Sequence, residues 1–300
     1  MKHWLKAFRL RTLPLALSSV GMGAVLAFSY QKFNSLIFGL SVLTTIFLQI
    51  LSNLANDYGD AQSGVDNSER EGPSRAVQTG LISAKTMKKA IILFVLLSFL
   101  SGLGLLYVSF AQSEHLILYF LTFLGLGVLA IIAAITYTIG KKPYGYIGLG
   151  DISVMAFFGW VGVLGSFFLY TRFLEISLIL PATACGLLSV AVLNVNNIRD
   201  IESDKKAGKN SIPVRLGRNK AVAYHYVILG MVYVFTSVYA FLSHWEWFQY
   251  IFLLSTPLFI KNAKAVTNLR GIALDPYLKQ MALSALIFII LFGLGIGLKS

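Results

Sequence analysis

Read only for hydrophobic and polar positions, the chain divides into nine apolar runs free of Asp, Glu, Lys and Arg. They cover residues 12–31, 33–56, 90–113, 116–140, 152–171, 176–198, 221–243, 247–260 and 280–298. A bilayer-spanning helix needs roughly 20 residues, so eight of the runs can cross unaided. The run 247–260 is short and spans only if Glu246, Lys261 and Lys264 lie at the interfaces, their aliphatic stems in the apolar layer. The pattern predicts an all-α polytopic membrane protein of nine spans, with no separate soluble domain in residues 1–300. Two runs end in acid clusters about 140 residues apart: Asn53, Asn56, Asp57, Asp60 and Asp66 after the second, and Asn194, Asn197, Asp200 and Asp204 at the sixth.

Composition agrees with the pattern. Hydrophobic residues make up 56% of the chain and charged residues 13%, outside the balance of a soluble domain. Nine spans with a cytoplasmic N-terminus leave only Lys32, Arg172 and Lys299 of the 25 basic residues on the outer side, as the positive-inside rule requires. Omitting the eighth span would carry Lys261, Lys264, Arg270 and Lys279 outside. The net charge of +12 therefore reflects topology and attraction to anionic headgroups or substrates, and does not point to nucleic acid. Residues 1–11 interleave Trp4, Leu5 and Phe8 with basic side chains, the pattern of an interfacial amphipathic helix that is retained and not cleaved. The single Cys185 lies within a span and reads as packing. The longest polar stretches, 57–89 and 199–220, both face the cytoplasm on this topology and are expected to be cap loops. Corresponding positions of the acid clusters hint at a repeat of four helices plus a final span.

Spacing turns the clusters into a site. Asn53, Asn56 or Asp57, and Asp60 recur at steps of three and four, as do Asn197, Asp200 and Asp204 with Asn194 one turn earlier; each set lies on one helical face. Mg²⁺ takes oxygen ligands and is commonly held by one or two carboxylates plus substrate phosphates. Two facing sets at one membrane surface thus predict an Mg²⁺–diphosphate clamp, whereas one set alone would only solvate a helix end. Candidate counter-cations are Arg75, Lys209, and Lys141, one helical turn after Tyr137 at the inner end of span four. Such donors suit a leaving diphosphate, on which negative charge develops as the carbon–oxygen bond breaks. The glycines in 145–150 allow a tight entry turn or close backbone approach; Asp151, at the start of span five, is an N-cap or takes part in substrate binding. The four histidines lack metal-ligand spacing, and His225 reads as structural.

At these residues the chain resembles the UbiA superfamily of intramembrane prenyltransferases. The superfamily's first motif, Asn-Asp-x-x-Asp-x-x-x-Asp, matches at Asn56, Asp57 and Asp60 and departs at Gly64, with the next carboxylate at Asp66. The second, Asp-x-x-x-Asp, is complete at Asp200 and Asp204. Segments 8–14, 56–66, 144–151 and 197–209 resemble the branch that prenylates 1,4-dihydroxy-2-naphthoate; beyond Lys220 only the hydropathy pattern agrees. The resemblance implies nine helices around a central cavity opening to the cytoplasmic side of the inner membrane. It implies Mg²⁺ bound by Asp57, Asp60, Asp200, Asp204 and Asn56, with these four aspartates and Lys141 in catalysis. Arg11, Arg75, Tyr137, Asp151, Asn197 and Lys209 would join Asn56 and Lys141 in binding the substrates, polyprenyl diphosphate and 1,4-dihydroxy-2-naphthoate, on the way to demethylmenaquinol. Another aromatic acceptor (4-hydroxybenzoate, homogentisate or haem) or an ion-coupled transporter are the alternatives.

Overall fold

The computed structural model describes residues 2–63 and 75–298. Gly64, Asp66 and Lys299, named above, lie outside them. A short helix α1 (Lys2–Phe8) precedes α2 (Leu13–Ser29), separated from it by Arg9 with φ 47°. Then come α3 (Ser35–Gln62), α4 (Ala84–Phe110) and α5 (Leu116–Thr136). The fifth span joins α6 (Gly150–Val154), a π-helical stretch Met155–Gly165 and α7 (Ser166–Thr171). Helix α8 (Ile179–Arg199) leads into two short helices, α9 (Ile201–Lys206) and α10 (Ile212–Leu216), and then into α11 (Arg218–Leu242). A 3-10 stretch Trp247–Ser255 continues as α12 (Thr256–Asn268), and α13 (Asp275–Gly297) closes the order.

Local chemistry sets the boundaries. The Asn34 side chain accepts from the amides of Leu36 (2.9 Å) and Ile37 (3.1 Å), and Ser83 accepts from Thr86 (3.2 Å), so α3 and α4 begin on side-chain caps. Prolines stand in the first turns of α2, α10, α12 and α13, where a missing amide hydrogen costs nothing.

Among the described residues, eight helices are long and apolar enough to cross a membrane, and they match the eight long runs. The short run 247–260 is not one α-helix: nine 3-10 residues end at Ser255, and α12 starts at Thr256 with Pro257 in its first turn. The expected cap loops are also corrected. Helix α3 runs on to Gln62, so Asp57 and Asp60 lie within it, and α4 begins at Ala84. Residues 199–220 are largely helical, as the end of α8 with α9, α10 and the start of α11.

Two hydrophobic clusters hold the bundle. The larger centres on α8, whose apolar window is mostly buried against α2, α11, α13 and the π-helical stretch. The smaller joins α1, α3, α4 and residues 76–82. Helix α5 buries no residue fully, and side chains such as Ile117, Leu118 and Phe241 are left facing the lipid position.

Polar side chains link the C-terminal spans. Asn194 Nδ2 lies 3.4 Å from His225 Nδ1, and His225 Nε2 lies 3.0 Å from Asn262 Oδ1. Asn262 Nδ2 in turn donates to Tyr277 O (3.0 Å) and Gln280 Oε1 (2.5 Å). The expected structural role of His225 follows: it is wholly buried between two amides. Where water is scarce such bonds join helices, and removing one partner strands the other. Asn262→Ala is therefore expected to cost about 1–2 kcal/mol, read as a lower thermal midpoint in detergent. An unchanged midpoint would show that this chain of bonds contributes nothing.

Candidate active site

A cavity of about 360 Å³ opens between the two hydrophobic clusters. Helix α3 forms one wall through Gln49, Ser52, Asn53, Asn56 and Asp60. Packing against it is the Tyr137–Thr138 segment, where the buried Thr138 hydroxyl donates to Ala55 O (3.0 Å) and lies 3.2 Å from Asn56 Oδ1. Gly59 makes this approach possible, since a Cβ there would stand 2.7 Å from both Thr138 O and Oγ1. The opposite wall is α8, which contributes Ser189, Val192, Asn196 and Asn197. An adjoining apolar lobe of about 180 Å³, bounded in part by Phe99, Gly102, Phe123 and Gly127, shares Val20, Thr45, Leu48, Ala130, Val161 and Gly162 with the first.

Of the residues expected from sequence, Asn56, Asp60, Arg75, Tyr137, Asn197 and Lys209 line this one cavity. Asp60 is buried, with one carboxylate oxygen paired to Arg75 and the other accepting from the Tyr146 phenol. Arg75 also donates to Asn56 O (2.6 Å). Asp57 faces away: its oxygens accept from the amides of Ala76 (3.2 Å) and Val77 (3.3 Å), tying the segment after residue 74 to α3. Asp200, between α8 and α9, is gripped by Arg199 through Nε (2.8 Å) and a terminal nitrogen (2.6 Å). Asp204 in α9 is buried 3.4 Å from Lys209 Nζ. Burial first, then the negative charges of Asp200 and Asp60, push the Asp204 carboxyl up to about 6 against the opposing ammonium of Lys209.

Three expected residues are placed elsewhere. Lys141 is exposed and does not line the cavity, because α5 ends at Thr136 and the one-turn spacing from Tyr137 is lost. Arg11 pairs with Asp275 (2.6 Å) instead of facing the cavity; of these two N-terminal arginines it is Arg9 that lines it, beside Arg75. The left-handed backbone at Arg9, uncommon for a side chain other than glycine, breaks α1 from the following turn and leaves Phe8 O to accept from Asn53 Nδ2 (2.9 Å). Asp151 accepts from the Tyr224 hydroxyl (2.9 Å) behind the wall.

Sequence reasoning also missed Tyr146. Besides binding Asp60, its ring lies 5.6 Å from Lys209 Nζ, and its carbonyl accepts from Asn210 N (2.8 Å). Burial, then the charge of Asp60, raises its phenol pKa, so it stays a donor. Gly148, with φ 84°, lets this turn lie against α10, where Arg215 donates to Ile147 O (2.5 Å); a Cβ there would stand 2.6 Å from the guanidinium. The run of glycines at 145–150 was the available signal.

The donor set fits a hard cation shared with a substrate. Asp204 Oδ2 is buried without a hydrogen-bond partner among the described residues, and the Lys209 that pairs with its other oxygen lines the cavity together with Asn56, Asp60 and Asn197. Among those residues no three His, Cys, Asp or Glu side chains form a ready cage. That combination matches Mg²⁺, which is held by few carboxylates and completes its shell with phosphate and water.

Comparison with known proteins adds the family. The model of the UbiA prenyltransferase family matches residues 16–273. The chain belongs to the UbiA prenyltransferase family. Its UbiA relatives include the 1,4-dihydroxy-2-naphthoate octaprenyltransferases of Haemophilus influenzae and Escherichia coli. Each is 48% identical over 99% of this chain, covering 96% and 95% of the relative respectively. The enzyme of the same name from Mycobacterium tuberculosis is 33% identical over 95% of this chain and 94% of its own length. A UbiA homolog from Aeropyrum pernix shares the fold with TM-score 0.67 at 17% identity, over 97% of this chain and 98% of that one. A UbiA homolog from Archaeoglobus fulgidus bound to GPP and Mg²⁺ gives 0.60 at 18%, over 98% and 99%.

Gly59→Ala is expected to force Thr138 off α3, costing about 1–3 kcal/mol as overpacking does, with a fall in both thermal midpoint and turnover. Gly39→Ala, in the same helix with open space around it, should leave both unchanged or raise the midpoint slightly. Equal effects from the two would remove the close-packing argument.

Proposed function

We propose that the protein transfers a polyprenyl group from its diphosphate to 1,4-dihydroxy-2-naphthoate with loss of CO₂, giving demethylmenaquinol. One observation carries this reading: residues from both acid-bearing segments meet at the polar mouth of a cavity that continues into an apolar lobe. Among the described residues the mouth is lined by three cations, Arg9, Arg75 and Lys209, against the one carboxylate of Asp60. That surplus suits a diphosphate, and the apolar lobe suits a prenyl tail. The acceptor is supported by the full-length likeness to octaprenyltransferases acting on 1,4-dihydroxy-2-naphthoate.

Asp60 and Asp204, with Asn56 and Asn197, would hold Mg²⁺; Asp57 and Asp200 support them by anchoring the segment after residue 74 and the start of α9. When bound, Mg²⁺ supplies countercharge to the diphosphate. Arg75 and Lys209 orient that group, so the allylic carbon–oxygen bond points toward the apolar lobe as its electron pair departs with the oxygen. Phe157, Phe158 and Tyr137 line the cavity, and aromatic rings there supply π-electron density to stabilise the allylic cation. The ring carbon bearing the carboxylate attacks, and the carbon–carbon pair returns to the ring as CO₂ leaves. No base need take a ring proton.

The chain is a multi-pass membrane protein; the basic-residue bias supports a cytoplasmic N-terminus, with 247–260 as a ninth crossing, and the bacterial relatives support the inner membrane. Purified protein given Mg²⁺, a prenyl diphosphate and each candidate acceptor should prenylate the naphthoate and lose activity in EDTA. Product with 4-hydroxybenzoate alone would reassign the acceptor. Lys209→Ala should raise KM for the diphosphate about tenfold or more, the size of a lost charge-assisted contact, whereas Lys141→Ala should change it less than about twofold. The reverse order would reject the assignment of Lys209 to the diphosphate.

A further inference from the structure

Arg199 is almost wholly buried, yet its guanidinium is fully engaged. Nε and one terminal nitrogen hold the two oxygens of Asp200 at 2.8 and 2.6 Å, and that same nitrogen donates to Asn196 Oδ1 at 3.0 Å. The other terminal nitrogen donates to Asp275 Oδ1 at 2.6 Å. Asp275 is the first residue of α13, where a carboxylate meets the positive end of the helix dipole, and its second oxygen accepts from Arg11 at 2.6 Å. Three segments distant in sequence thus meet in one alternating chain, Arg11–Asp275–Arg199–Asp200, whose charges cancel.

The arrangement does more than neutralise a buried arginine. Asp200 alone would balance Arg199, but a guanidinium held on one edge can rotate about that edge. Asp275 fixes the opposite edge, so the planar fork has a single orientation. That orientation in turn sets the Asp200 carboxylate, at the head of α9, and the amide of Asn196, which lines the cavity. Arg11 holds the second Asp275 oxygen and so keeps the carboxylate aimed.

We propose that Asp275 is a positioning residue for the second acid motif, acting through Arg199 on Asp200 and Asn196. The proposal rests on the reading of this site as an Mg²⁺–diphosphate site. Loss of a group that supports a metal ligand typically changes metal affinity 10- to 100-fold. Asp275 acts one step further back, through Arg199 on the supporting Asp200, which places its effect at the low end of that range, whereas a mere staple between α13 and the N-terminal segment would change stability alone.

The test is Mn²⁺ titration by electron paramagnetic resonance, on purified protein with inorganic diphosphate, beside the Mg²⁺ dependence of prenyl transfer. Asp275→Asn should weaken Mn²⁺ binding about tenfold and raise the half-saturating Mg²⁺ concentration by a similar factor, and Asp275→Glu should recover most of both. Arg199→Lys, which keeps the charge and loses the fork, should weaken Mn²⁺ as much as Asp275→Asn and guards against a variant that does not fold. In an Asp200→Asn background, Asp275→Asn should add nothing further. A lower thermal midpoint with unchanged Mn²⁺ affinity would reduce Asp275 to a staple and overturn the proposal. So would a full tenfold loss persisting without the Asp200 carboxylate. Wild-type protein that binds Mn²⁺ and diphosphate but prenylates no naphthoate would sink only the acceptor, and wild-type protein that binds neither would sink both readings.

Discussion

Carboxylates near the end of an apolar helix lose water, and each must find a compensating donor or cation. Asp57, Asp60, Asp200 and Asp204 are all buried to within 5% exposure, and each solves the problem differently. Asp57 takes two backbone amides; Asp60 takes Arg75 and Tyr146; Asp200 takes Arg199; Asp204 has Lys209 and one oxygen left over. The partners come from the segment after residue 74, the 144–149 turn, α8 itself and the turn after α9. Compensating buried charge is therefore what brings these distant segments to one mouth. The acids organise the cap as much as the cap encloses the acids.

That economy separates the roles within each motif. The sequence spacing gives Asp57 and Asp60 equal claims, and likewise Asp200 and Asp204, because periodicity reports a shared face and not which oxygen is already spoken for. Amides and guanidinium groups settle it: Asp57 and Asp200 are held by groups that lie behind the wall, while Asp60 lines the cavity and Asp204 retains an unpartnered oxygen.

Much of the architecture was legible because lipid imposes a blunt rule: charge-free runs of sufficient length become helices. The eight long runs did so, and Asn56, Asp60, Arg75, Tyr137, Asn197 and Lys209 converge as their motifs implied. What failed was local. Arg9 and Arg11 are two residues apart, and a helix would have placed them on different faces in a calculable way. The left-handed turn at Arg9 cancels that arithmetic and sends Arg9 to the cavity and Arg11 to Asp275. Lys141 was assigned by one-turn spacing across a stretch where α5 has already ended. Asp275 carries no motif at all: a lone acid at a helix start reads as dipole complement, and only tertiary contact reveals the arginines on either side of it.

The fifth span follows the same logic at the level of backbone. A π-helix is seldom longer than one turn, and its wider coil is usually kept only where surrounding contacts demand it. Here eleven residues adopt it, at the seam between the two lobes, where Phe157, Phe158, Val161 and Gly162 face the cavity. The packing allows no simple alternative on the other side. A Cβ on Gly159 would stand 2.9 Å from Ala182 O and from the Gly186 Cα of α8. The span is thus pressed against α8 through glycine while Phe157 and Phe158 line the opening between the clusters. Close approach on one side and a lined cavity on the other are two consequences of one backbone choice.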